Sequence, residues 1–247
     1  MIKIALLTPL TVLLATLIIW LIIRSISITV SDIFLFFIFL FAYANIDKAL
    51  ATFYLIGLLF VIVVDWTNQP FELGIAKKFS ISKFTFKGYG FMIFSLILGF
   101  FIYIGINMMG TRTGSVVIGV PILATVTTST IVTSFMPALT ALLGIIENRV
   151  FFTLFNLVTR YGVLIPVVGV AFGIGLPVLP ILLSSLIFAL FHLTAYSIAV
   201  GAILWAMMSF ALFLSSYLIT GDTLSADFAH WLNNALVAIK RGLQIVT

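Results

Sequence analysis

Four polar side chains lie inside otherwise apolar runs in the second half of the chain, and all four are types that handle protons or oxyanions. "GIIENRVFF" carries Glu147, "SSLIFALFHLTAYS" carries His192, and "SADFAHWLNNALV" carries His230 and Asn234. The two histidines are the only ones in 247 residues. A carboxylate can take a proton from water, and an imidazole can relay it. An imidazole and an amide together can donate to an oxygen that becomes negative as a carbonyl is attacked.

Spacing adds to identity. Phe188 and His192 are four positions apart, as are His230 and Asn234, so each pair shares a helix face. A phenyl ring beside His192 would exclude water and limit the imidazole's motion. Asn234 could steady His230 or aim its amide at the same target. Each residue also has a plainer role. A membrane glutamate or histidine often just bonds two helices together. With 25 phenylalanines in the chain, a Phe four residues before a His means little by itself. An ionised side chain at mid-bilayer costs about 2.5–3.5 kcal/mol, so one shared cavity that relieves four burial problems is favoured over four separate contacts.

The elements that must position these groups are membrane helices. Hydrophobic residues make up 63% of the chain and charged residues 8%, where a soluble domain carries roughly a quarter charged. Mean hydropathy is +1.34. Apolar stretches near the ~20 residues needed to cross a bilayer recur along the chain. No alternating segments of the barrel type are visible. The fold class is therefore all-α, a polytopic transmembrane helical bundle of eight to ten spans. Predicted spans cover 4–23, 26–44, 49–64, 88–109, 116–134, 138–159, 177–197, 200–220 and 225–241. The first lacks a small-residue cleavage pattern and reads as a retained span. Residues 161–176 carry Pro166 and several glycines, and are expected to form a short tenth span or a re-entrant segment.

Residues 65–87 hold Lys77, Lys78, Lys83 and Lys87, which places that loop on the cytoplasmic side. Arg160 then lies outside. Lys240 and Arg241 return inside if 161–176 does not cross, the version that the charge rule favours. The net charge of +5 reads as a topology signal spread over loops, and nucleic acid is not an expected partner. The absence of cysteine excludes disulfides, thiolate metal sites, a cysteine nucleophile and a lipidation site. A Gly/Thr-rich break near 111–115 divides anchoring helices (1–110) from a core (111–247) with the chemically capable residues. No internal repeat is visible.

A glutamate, then FxxxH, then HxxxN on successive C-terminal helices resembles the CPBP family of intramembrane proteases (ABI domain), which includes the type II CAAX prenyl endopeptidases. "FALFH" (188–192) fits the second motif and "HWLNN" (230–234) the third, and the resemblance spans roughly 138–243. The family's first motif, EExxxR, is reduced. With Glu147 as the first glutamate, Asn148 takes the place of the second and Phe152 that of the arginine. With Glu147 as the second, Ile146 is first and Phe151 replaces the arginine. The first register loses a carboxylate and an arginine together and so leaves no unpaired charge. Arg149 is no substitute, since two residues turn about 200° around a helix.

The resemblance implies hydrolysis of a peptide bond in a membrane-associated substrate, with a prenylated CAAX-type C-terminus as one candidate. Glu147 would activate a water with help from His192, while His230 and Asn234 stabilise the oxyanion; Asn148 and Phe188 support them. Glu147, His192 and His230 are also adequate ligands for zinc. The HExxH pattern is absent, and no second carboxylate is evident within the membrane helices to orient either histidine, so a metal-independent route is preferred. "TGSVV" (113–117) lacks a GxSG pattern and "ITGDT" (219–223) lacks GxGD. Two other functions compete: a non-catalytic scaffold or immunity-type protein of the same fold, and a small proton-coupled transporter.

Overall fold

Backbone N–H and C=O groups in hydrocarbon must bond within their own segment, so apolar runs of this length fold as helices. A computed structural model describes residues 2–26, 28–42, 48–67, 86–113, 130–160, 168–171, 174–192 and 200–246. The helices are α1 (Ile2–Ile26), α2 (Ile28–Ala42), α3 (Lys48–Thr67), α4 (Phe86–Thr113), α5 (Thr130–Arg160), α6 (Val178–Phe191), α7 (Val200–Thr220) and α8 (Leu224–Val246). Four contain stretches long and apolar enough to cross a membrane: Pro9–Ile26, Gly90–Gly110, Pro137–Asn156 and Val200–Thr220. Val30–Leu40, Ala51–Val64 and Pro180–Phe191 are shorter apolar helices. The chain is an all-helical, multi-pass membrane protein with one small hairpin.

That hairpin occupies part of the segment expected to be a tenth span or a re-entrant stretch. β1 (Val168–Ala171) pairs antiparallel with β2 (Ile174–Pro177), Val168 opposite Pro177 and Ala171 opposite Ile174. A four-residue strand reaches about 13 Å, well short of the ~30 Å core. Glycines and β-branched residues favour this over a helix. Residues 161–167 and 172–173 lie outside the described residues.

Two other boundaries differ from expectation. Residues 130–134, assigned to a separate span (116–134), begin α5, which runs through Pro137 without a break. Proline is tolerated in membrane helices because neighbouring groups bond the freed carbonyl. Residues 114–129 lie outside the described residues. α6 ends at Phe191, not near 197, and leaves His192 at its C-terminal edge. The Lys77–Lys83 stretch of the basic loop is likewise outside the described residues.

α5 is the central rod: 89% of its apolar window is buried, against 17% for α4. α8 packs against α5 and α4, α6 against α7, and α1 and α3 against α5. The outer helices expose large apolar side chains, including Phe37 (62%), Ile56 (62%) and Phe101 (64%), while Glu147, Asn148, Arg149, Asp227 and His230 are buried. Such a greasy exterior around a polar interior suits lipid.

The α7–α8 turn positions the last pair of polar groups. α7 closes at Gly221, whose φ of 70° is left-handed and whose N–H donates to the Tyr217 carbonyl at 2.8 Å. Asp222 Oδ1 then accepts the Leu224 N–H at 2.6 Å and caps the start of α8.

Candidate active site

Glu147 lies on the central helix α5 with its side chain 2% exposed. Its Oε1 accepts a short hydrogen bond from the Tyr54 hydroxyl of α3. Its Oε2 faces two imidazoles, with His192 Nε2 at 3.3 Å and His230 Nε2 at 3.4 Å. The three proton-handling residues singled out from sequence thus meet at one oxygen atom.

The outer nitrogen of each ring faces an acceptor, which fixes where its proton sits. His192 Nδ1–H donates to the Phe188 carbonyl at 2.7 Å. That carbonyl belongs to the last turn of α6, so the FxxxH spacing holds the ring against its own helix. His230 Nδ1 meets Asn148 Oδ1 at 3.0 Å. Asn148 turns its oxygen to the ring because its Nδ2 donates to Asp227 Oδ1 at 3.2 Å, and a carboxylate only accepts. Each ring therefore carries a proton on Nδ1 and turns its Nε2, the atom left to exchange a proton, to Glu147 Oε2.

Aromatic faces hold the imidazoles still. Phe188 lies 4.3 Å from the His192 ring and is itself stacked at 4.4 Å on Phe210. Phe213 stacks on His230 at 4.8 Å. A cavity of about 20 Å³ adjoins the rings, lined by His192, His230, Asn233 and Asn234 together with apolar residues such as Phe188 and Trp205. That volume suits one water. Glu147 stands behind the two rings. Asn234 lines the cavity and donates one amide hydrogen to the Thr140 carbonyl at 3.3 Å, leaving its second for another acceptor.

Gly144, one turn before Glu147, makes this approach of α5 to α8 feasible. A Cβ there would fall 2.6 Å from His230 Cδ2 and 2.9 Å from Asn234 Nδ2. Gly144→Ala is expected to push both groups aside, cutting any turnover by about 100-fold, the usual consequence of a 1 Å misplacement. Overpacking should also cost about 1–3 kcal/mol of stability. Parallel activity and melting measurements check this, and unchanged turnover would contradict the assigned geometry.

Behind His230 lies a buried charge cluster that sequence reading missed. Arg24 of α1 pairs with Asp222 in a short contact and with Asp227 at 2.8 Å. Thr223 Oγ1 donates to Asp227 at 2.6 Å. Arg149 does face away from Glu147: it pairs with Asp32 at 3.2 Å and Asp227 at 3.4 Å. Both arginines are thus interior, paired with three aspartates. A second correction concerns His230: a carboxylate does orient it, since Asp227 reaches it through Asn148. Phe152 stacks on Tyr217 at 4.8 Å.

Tyr54 also escaped the sequence reading. A lone tyrosine in "ATFYLIGLL" gives no sign of a partner 93 residues away. Asp227 offered a faint signal, as an acidic residue one turn before a histidine on the same helix. Among the described residues no group of three His, Asp or Glu side chains is disposed to hold a metal ion. Glu147, His192 and His230, the residues named for zinc from sequence, meet through contacts of 3.3 Å and 3.4 Å at Glu147 Oε2. In comparisons with protein-family models, curated proteins and solved structures, the chain matches none of them.

Proposed function

We propose that this chain is a membrane-embedded endopeptidase of the CPBP type, hydrolysing a peptide bond in a membrane-associated substrate. One observation carries the reading: both imidazoles turn Nε2 to one buried glutamate oxygen, beside a cavity sized for a water. In the reaction, the cavity water gives up one proton to His230 Nε2, and the Glu147 carboxylate beside it stabilises the imidazolium so formed. The water oxygen bonds to the scissile carbonyl carbon. The resulting oxyanion accepts from the free Asn234 amide hydrogen and from His230 once that ring is protonated, donors worth about 2.7–4 kcal/mol each in such a setting. The proton then passes to the amide nitrogen as the C–N bond breaks, releasing an amine and a carboxylic acid.

The prenylated CAAX-type peptide is the first substrate to test, and the 65–87 loop is assigned to the cytoplasmic side. The experiment presents prenylated and transmembrane reporter peptides to the purified protein in lipid nanodiscs. Cleavage is expected, along with its loss in His192→Ala. Asn234→Ala is expected to lower kcat by about 100-fold or more with KM nearly unchanged. A strong chelator should leave the rate intact. Equal loss of binding with unaltered kcat in Asn234→Ala would contradict the oxyanion role.

A non-catalytic scaffold of the same architecture is the second reading, favoured by a cavity with room for one water and little more. It expects no cleavage of any reporter by well-folded protein. The transporter reading expects proton-dependent flux in proteoliposomes, abolished by Glu147→Gln.

A further inference from the structure

We infer that Asp227 is a positioning residue: acting through the Asn148 amide, it holds a proton on His230 Nδ1 and so makes Nε2 the atom that exchanges a proton beside Glu147. The inference deepens the endopeptidase reading and rests on it for its catalytic meaning, although the tautomer itself does not depend on any substrate.

The chain of donors and acceptors admits one orientation at each step. Asp227 Oδ2 is surrounded by donors: Arg24 Nη1 at 2.8 Å, Thr223 Oγ1 at 2.6 Å and Arg149 Nη2 at 3.4 Å. Its Oδ1 faces Asn148 Nδ2 at 3.2 Å, and Asn148 Oδ1 faces His230 Nδ1 at 3.0 Å. Since Asp227 can only accept, the amide can only donate to it, and its other end can only accept from the imidazole. Asp227, Asn148 and His230 are 0%, 0% and 6% exposed, so water does not offer the amide another way to turn. The Arg24–Arg149 pair holds the carboxylate in place, which ties α1 and α5 to the protonation pattern of a ring on α8.

The consequence for the reaction is direct. A bare Nε2 can take the proton of the attacking water and afterwards donate it to the oxyanion. The opposite tautomer would already hold its hydrogen on Nε2 and could take none from the water. Asp227→Asn should bring that tautomer about. The oxygen of the substituted amide must face Arg24 and Thr223, so its NH2 faces Asn148. Asn148 must then flip, present its own NH2 to His230, and move the ring proton to Nε2.

Because the chain has two histidines, ring-15N labelling gives a spectrum with two imidazoles to assign, and His192→Ala separates them. In the unaltered full-length protein in nanodiscs, neutral His230 is expected to carry its proton on Nδ1. In Asp227→Asn the proton is expected on Nε2, while His192, bonded to a backbone carbonyl, stays as it was. Turnover in that variant should fall by about 10²–10⁴-fold with KM little changed, the scale of a wrong-tautomer defect. Asn148→Ala provides a second test that leaves the charge cluster intact: it removes the acceptor at Nδ1, and a mixture of tautomers is expected. A proton on Nε2 in the unaltered protein overturns the inference, as does an unchanged Nδ1–H in a folded Asp227→Asn or Asn148→Ala protein. If the tautomer switches as described but no form cleaves any reporter, the positioning role stands and the endopeptidase reading fails.

Discussion

Glu147→Gln is expected to abolish peptide hydrolysis, by about 10²–10⁴-fold or to background, without unfolding the protein. The second half of this expectation gives the variant its value. The glutamine carbonyl would still accept the Tyr54 hydroxyl in place of Oε1. Its NH2 would replace Oε2, which faces His192 Nε2 at 3.3 Å and His230 Nε2 at 3.4 Å. Both rings carry their proton on Nδ1, so two amide hydrogens would meet two bare nitrogens, and every buried polar group would remain satisfied. Removal of a single buried partner usually destabilises because it leaves its neighbours unbonded; this substitution avoids that. A melting temperature equal to or above that of the unaltered protein, together with lost cleavage, is the expected pair of results. A variant that unfolds would contradict the assigned proton positions, and one that still cleaves would remove Glu147 from the chemistry.

Arg24→Ala should give the largest loss of stability, about 3–5 kcal/mol, the range for removing one member of a buried ion pair. Arg24 is 2% exposed, its guanidinium serves Asp222 and Asp227 at once, and it sits 5.5 Å over the Trp20 ring. With only Arg149 remaining against three aspartates, the α7–α8 turn loses the group that binds it to α1. Arg24→Lys keeps the charge but not the planar fork, and is expected to recover only part of the loss. Thermal unfolding in one detergent, compared across the three proteins, measures it. An Arg24→Ala protein as stable as the parent would mean that the cluster contributes nothing to the fold.

The contrast between these two residues shows what the sequence could and could not reveal. Glu147, His192 and His230 were legible because an ionisable group inside a long apolar run has few reasons to be there, and the four-residue spacings set them on helix faces. The spans themselves followed from hydropathy, apart from places where proline and glycine gave a misleading cue. Pro137, left between two expected spans, lies within α5, while the glycine-rich 161–176 segment, read as a short span or a re-entrant stretch, contributes most of a hairpin. Arg24 and Asp32 lie near helix ends, where charge ordinarily marks a water-facing edge. Their partners are remote in sequence, Arg24 and Asp227 being 203 residues apart, and no local pattern encodes such a pairing. Tyr54 was hidden for the same reason: its hydroxyl matters only because α3 packs on α5. Asn148 was legible as a departure from a family pattern, but its role as a link between a carboxylate and an imidazole needed the coordinates.

The most direct test of the central claim is hydrolysis in ¹⁸O-labelled water. The purified protein in nanodiscs is given a membrane-anchored reporter peptide, and the new C-terminus is weighed by mass spectrometry. A single ¹⁸O in the product carboxylate, present with the unaltered protein and absent with Glu147→Gln, is the result expected of a water activated at this site. Intact peptide after prolonged incubation with folded protein, across prenylated and transmembrane reporters, or labelled product of equal yield from Glu147→Gln, would contradict it.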